Sequence, residues 1–133
     1  MITDLYVENG VGRRVTDAIS IFTGSHGITA HFQHDVHPAM QIAQEGDEWW
    51  IEDAVARGWA ILTQDKSILQ QGPEREVLKA AGGTLFALSR ADFPMWEKFR
   101  CFAVSWPAVS AMLAASGPQA MVLQKTGHEI RSL

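Results

Sequence analysis

Glu8, Asp47 and Asp65 are the residues of this chain whose types and placement could do chemistry. Each stands where an apolar run ends or begins: Glu8 after Ile2 to Val7, Asp65 after Trp59 to Thr63, and Asp47 ahead of Trp50, Ile51, Ala54 and Val55. Carboxylates gathered in one place repel one another and raise their own pKa values unless a positive charge lies between them. A hard divalent cation supplies that charge. Oxygen ligands without His or Cys favour Mg²⁺ or Mn²⁺, which keep several waters and bind phosphate oxygens. The matching chemistry is metal-assisted phosphodiester hydrolysis, in which the cation lowers the pKa of a water and stabilises charge on the leaving oxygen. The competing account is that acids at strand ends and helix starts are solvated caps.

The elements that must position these acids can be read in order. Ile2 to Val7 is apolar and partly β-branched, a strand ending at Glu8-Asn9-Gly10. Val11, Val15, Ala18, Ile19 and Phe22 recur at helical spacing up to Gly24, and Ile28 to Phe32 can form a second short strand. Between Gln33 and Gly46 the periodicity is lost, which predicts loop with at most a helical turn at Met40 to Ala43. A short helix runs from Asp47 and stops at Gly58, with Asp47 favouring its positive end. Trp59 to Thr63 is a continuous apolar run, the mark of a strand buried on both faces. Gly72-Pro73 opens the next helix, which Gly82-Gly83 ends, and Leu85 to Leu88 is another buried strand. Asp92-Phe93-Pro94 starts a helix whose wide apolar face includes Met95, Trp96, Phe99, Phe102, Ala103 and Trp106; Val109 to Ala115 continues it beyond Pro107. Met121 to Gln124 is a last strand, followed by a Thr126-Gly127 turn and a short end.

Strand and helix alternation of this kind forces a mostly parallel sheet with helices on both faces, because parallel neighbours require crossover connections. The expected fold class is α/β, three-layer α/β/α, as one domain over residues 1–133. Ligands bind such sheets beyond the carboxyl ends of the strands. Glu8 and Asp65 belong to that edge. Asp47 reaches it as well, since a helix preceding a strand begins at the end of the sheet where that strand finishes.

Composition bounds the rest. The chain has 133 residues, 47% hydrophobic and 20% charged, enough for one core. No stretch approaches the roughly 20 apolar residues of a membrane span, and the start lacks the regions of a signal peptide. Cys101 alone excludes an intrachain disulfide and fits a reducing compartment, so a cytoplasmic location is expected. A formal charge of −4 is the wrong sign for holding nucleic acid by electrostatics alone, so a polyanion would need a basic patch or bound cations. His31, His34 and His37, with His26 upstream, form a run that could suggest zinc or another transition metal, but the spacing is wrong for one strand face and imperfect for one helix face, and surface histidines in a loop are the simpler account. Trp50, Trp59, Trp96 and Trp106 fall on apolar stripes or a buried strand, which points to core or a dimer interface; Trp49 lies off its stripe. Cys101, among Phe99 and Phe102, reads as a buried inert thiol. No Gly-rich phosphate loop, nucleophile elbow or Ser/His/Asp arrangement occurs.

The segments Tyr6-Val7-Glu8-Asn9-Gly10-Val11-Gly12-Arg13-Arg14-Val15, Asp47-Glu48-Trp49-Trp50-Ile51, Gly58-Trp59-Ala60-Ile61-Leu62-Thr63-Gln64-Asp65-Lys66-Ser67-Ile68 and Glu74-Arg75 ahead of Ala81-Gly82 resemble, in order and spacing, the PIN-like domains of VapC-type toxins. The Gly-Trp-x-x-Leu-Thr-x-Asp-Lys piece is the most specific. The resemblance implies a small Mg²⁺- or Mn²⁺-dependent ribonuclease with RNA as substrate, a cognate antitoxin protein that holds it inactive, and a homodimer. Position by position it makes Glu8, Asp47 and Asp65 metal ligands and Glu74 a further catalytic acid. Thr63 would hydrogen-bond a ligand carboxylate or a metal water, and Lys66, Arg13 and Arg14 would face RNA phosphates. Glu8 stands where the family usually has Asp, and Ser67 where relatives can carry another Asp. Both departures point to an alternative: a catalytically degenerate PIN-like domain that binds protein or RNA. Phosphoryl transfer to an acid beside Lys66, as in a receiver-like domain, is a third reading, but Glu8-Asn9 supplies only one of the paired acids it needs.

Overall fold

A computed structural model describes residues 1–133. Six strands form one sheet in the order β2-β1-β3-β4-β5-β6: β1 (Asp4–Val7), β2 (Thr29–Phe32), β3 (Ala60–Thr63), β4 (Thr84–Leu88), β5 (Gln119–Gln124) and β6 (Gly127–Arg131). Every pairing is parallel except β5 with β6. The helices are α1 (Arg13–Gly24), α2 (Gln33–Val36), α3 (Ala39–Glu45), α4 (Asp47–Ala56), α5 (Pro73–Ala80), α6 (Met95–Val104) and α7 (Trp106–Ala115). No helix is long and apolar enough to cross a membrane. The expected three-layer α/β architecture with a mostly parallel sheet is the one observed.

Strand periodicity divides the apolar residues between two cores. Leu5, Val7, Ala60, Leu62, Phe86, Leu88, Met121 and Leu123 face α1, α6 and α7 through Val15, Ile19, Phe102, Val109 and Leu113. Tyr6, Ile61, Leu85 and Ala87 face the other way, onto Trp50, Ile51 and Ala54 of α4 and Leu78 of α5. Adjacent strand residues thus serve opposite layers. That is why β3 and β4 read as continuous apolar runs: all four residues of β3 and all five of β4 are buried. The chain crosses from β1 to β2 over one face and from β2 to β3 over the other, which makes the boundary between β1 and β3 the switch point of the sheet. The ladder runs past both strands there, with the Glu8 amide donating to the Leu62 carbonyl at 2.9 Å.

Three expectations need correction. The helical turn expected at Met40 to Ala43 is present within α3, but the rest of Gln33 to Gly46 is not loop: α2 and α3 occupy most of it, separated by extended His37 and by Pro38, which sits just ahead of α3. Because α3 buries no residue, it carries no apolar period to read. The short end after the expected Thr126-Gly127 turn is a sixth strand. It turns back as β6, an edge strand whose residues after Gly127 are all exposed, so polarity hides it. Finally, Met95 and Trp96 do not join the buried face of α6. Cys101 and Phe102 take that face, and the helical rotation of about 100° per residue turns Trp96 away, leaving it 60% exposed. The break at Ser105 then starts α7, with Pro107 in its first turn.

Candidate functional site

A cavity of about 400 Å³ opens at the β1/β3 switch point, and Glu8, Thr63, Asp65 and Asp47 all line it. Pairing of Val7 with Leu62 puts Glu8 beside Thr63, both one step further along their strands. Thr63 is fully buried, and its hydroxyl is committed on both sides. It accepts the Asp65 amide N–H at 3.0 Å and donates to Glu8 Oε1 at 3.1 Å. Glu8 Oε2 accepts the Gly10 amide N–H at 2.6 Å, so the tight turn after β1 fixes the other half of this carboxylate. Asp65 Oδ1 caps its own turn by accepting from the Ser67 amide and hydroxyl. At the head of α4, Asp47 Oδ1 accepts the Trp50 indole N–H at 2.8 Å, and Trp50 stacks on Tyr6 of β1. Asp47 is thereby tied to the sheet through an aromatic pair.

The three acids expected to share a site therefore do line one cavity, though no three His, Cys, Asp or Glu side chains converge closely enough to grip one ion among them. Asp47 Oδ2 and Asp65 Oδ2 make no hydrogen bond. The donors these three acids offer are all oxygens, the kind that hard cations take. Glu74 stands apart on the first turn of α5 and does not line the cavity. Lys66 is exposed and borders a shallower depression on the other side of Asp65. Arg13 donates from both terminal guanidinium nitrogens to Asp35, at 3.0 and 2.8 Å, and lies over the Phe32 ring. That ion pair holds the Asp35 carboxyl below the usual carboxylate range.

Several residues of the site were not anticipated. Gln33 is buried and accepts the Asn9 amide N–H at 2.9 Å, bracing the loop that carries Glu8. Gln64 lies against Gly10 so closely that a Cβ there would come within 2.3 Å of its Nε2. Lys98 of α6 spans both, donating to the Gly10 carbonyl and to Gln64 Oε1 at 2.9 Å each. The histidines divide. His34 lines the cavity, and His31 bonds Asp4 and stacks on Trp59. His37 is buried, contrary to its expected place on the surface: it joins Tyr6 Oη at 2.8 Å to Asp53 at 2.6 Å, and Arg57 also donates to Asp53. Burial pushes the Tyr6 phenol well up. Desolvation works against the Asp53 carboxylate, but the bonds from His37 and Arg57 outweigh it and hold its pKa below the usual value.

Residues 4–90 match the family described as a PIN like domain, a stretch that contains β1 through β4 and every acid lining the cavity. The chain belongs to the PIN-like domain family, whose fold is of the nuclease type. No curated protein and no solved structure matches it.

Proposed function

We propose that the chain is a Mg²⁺- or Mn²⁺-dependent endoribonuclease that hydrolyses RNA phosphodiesters and acts as the toxin of a VapC-type toxin–antitoxin pair. The observation that carries the reading is the placement of Glu8, Asp47 and Asp65 around one cavity at the sheet's switch point. Because the three do not close on one ion directly, they would hold a hydrated cation through its waters, and when bound it would supply positive charge against phosphate and acidify water. Thr63 and the Gly10 amide fix Glu8, Ser67 fixes Asp65 and Trp50 fixes Asp47, so each carboxylate is oriented before substrate arrives. In hydrolysis the oxygen of water bonds to phosphorus, the bond from phosphorus to the leaving sugar oxygen breaks, and that oxygen takes up a proton. Glu8, Asp47, Asp65 and His34 are the bases lining the cavity that can carry the proton between the two oxygens.

The test is Mn²⁺ titration by calorimetry on the wild type and on Asp65→Asn, with RNA cleavage measured with and without EDTA. Saturable binding lost in the variant, together with EDTA-sensitive cleavage, is expected. Absence of both binding and cleavage would refute the nuclease reading and leave a domain that binds protein or RNA. The toxin role has its own test: induced expression should arrest growth for the wild type and not for Asp65→Asn. Sedimentation velocity checks the homodimer that this reading also carries, and a monomer at micromolar concentration would remove that part.

A further inference from the structure

A second groove, of about 300 Å³, adjoins the carboxylate cavity. The wall between them is the contact of Gly10 with Gln64, and Lys98 stitches that wall from α6. The groove is lined by Arg13, Arg14 and Lys98 and by no acidic residue, in a chain whose formal charge is −4. Arg13 is neutralised by Asp35, but Arg14 is exposed and makes no ion pair, and Lys98 spends two of its three donors on neutral oxygens with no carboxylate within 4 Å. The amino end of α1, which Gly12 leaves without a side-chain cap, opens beside them. Positive charge is thus concentrated immediately next to the acids, where a polyanion lying across both would need it. Met95 lines the groove and Trp96 follows it, 49% and 60% exposed, an uncovered apolar rim of the kind on which a base can rest.

We infer that this groove seats a backbone phosphate of single-stranded RNA adjacent to the one in the carboxylate cavity, with Lys98 and Arg14 as its cationic contacts. The inference rests on the nuclease reading for its substrate, but binding and cleavage separate the two. Fluorescence anisotropy with a labelled mixed-sequence RNA octamer, the full chain and EDTA, between about 50 and 200 mM KCl, reads binding with nothing cut. Lys98→Gln and Arg14→Gln should each weaken binding about fivefold to tenfold and lower the steepness of the salt dependence by about 0.7. Lys79→Gln, exposed on α5, should leave both unchanged. Unchanged affinity in Lys98→Gln and Arg14→Gln, an equal loss in Lys79→Gln, or tighter binding of a duplex than of the single strand overturns the inference. If Lys98→Gln melts early, the exposed Arg14→Gln decides alone. Cleavage by the wild type with unaffected binding in both variants sinks the groove and spares the nuclease. Weakened binding in the two variants of a protein that cuts nothing does the reverse.

Discussion

Replacing Thr63 by Val tests whether the hydroxyl between the two strand ends holds the site together. Val has nearly the shape of Thr, so this fully buried position loses hydrogen bonds and gains no cavity. Two bonds go: the one donated to Glu8 and the one accepted from the Asp65 amide. A bond to a charged acceptor contributes about 1.5–3 kcal/mol, and the lower end applies because Glu8 is only half-buried and water can replace the donor. The Asp65 amide adds about 1 kcal/mol, and the extra buried methyl returns roughly half of that. The net expectation is a loss of about 2 kcal/mol, or a fall in Tm of roughly 8 °C for a domain of this size. Thr63→Ser keeps the hydroxyl and sheds a methyl, at about 1 kcal/mol. Urea denaturation gives the stabilities, and a double-mutant cycle with Glu8→Ala isolates the pair, with an expected coupling of about 1–2 kcal/mol. Cleavage should fall about tenfold or more in the Val variant and be retained in the Ser variant. A Val variant that unfolds at the wild-type midpoint, with no coupling to Glu8, would refute the bridging role of the hydroxyl.

Gly83→Ala should destabilise by about 1–3 kcal/mol in the same denaturation assay, because its Cβ would lie 2.5 Å from Leu78 Cδ1 and 2.7 Å from Val55 Cγ2 inside a packed layer. Tyr6→Phe should cost about 1–3 kcal/mol by leaving buried His37 without its Nδ1 partner, and a variant as stable as wild type would show that water repairs the gap. Asp53 has a depressed pKa in the folded chain, so its contribution is present above the unfolded carboxylate value of about 3.9 and is lost as pH falls through the lower folded value. Denaturation midpoints measured from about pH 5 downward should therefore decline less in Asp53→Asn than in wild type.

The layers were legible because both cores write themselves into the strands. Val7, Leu62 and Phe86 point one way and Tyr6, Ile61 and Ala87 the other, so the apolar runs, turn glycines and helix periods all agree. The strand-end rule placed Glu8 and Asp65, and helix direction placed Asp47. What stayed hidden depends on contacts that no local pattern encodes. Lys98 meets Gly10 across 88 positions, on a helix beyond the family match, and Gln33 reaches Asn9 across 24. His37 looked like a loop histidine because its burial comes from Tyr6 and Trp49, residues on two other elements. Glu74 shows the opposite limit: family position carried it into the expected site, but its helix turns it clear of the cavity.

The wall of the cavity formed by α3 has a consequence for motion. Ala39 and Ile42 border the cavity, yet α3 buries none of its seven residues, while the segment is pinned at one end by His37 and at the other by Trp50. Local opening free energy follows buried contacts, and α3 offers few, with half-buried Ile42 its apolar contact to the core, so its opening should cost less than unfolding the sheet. Its amides should exchange with solvent deuterium far sooner than those of α4, although only Gly46 separates the two helices. The acids would then sit on a rigid frame behind a wall that breathes, and the cavity would widen without moving Glu8, Asp47 or Asp65.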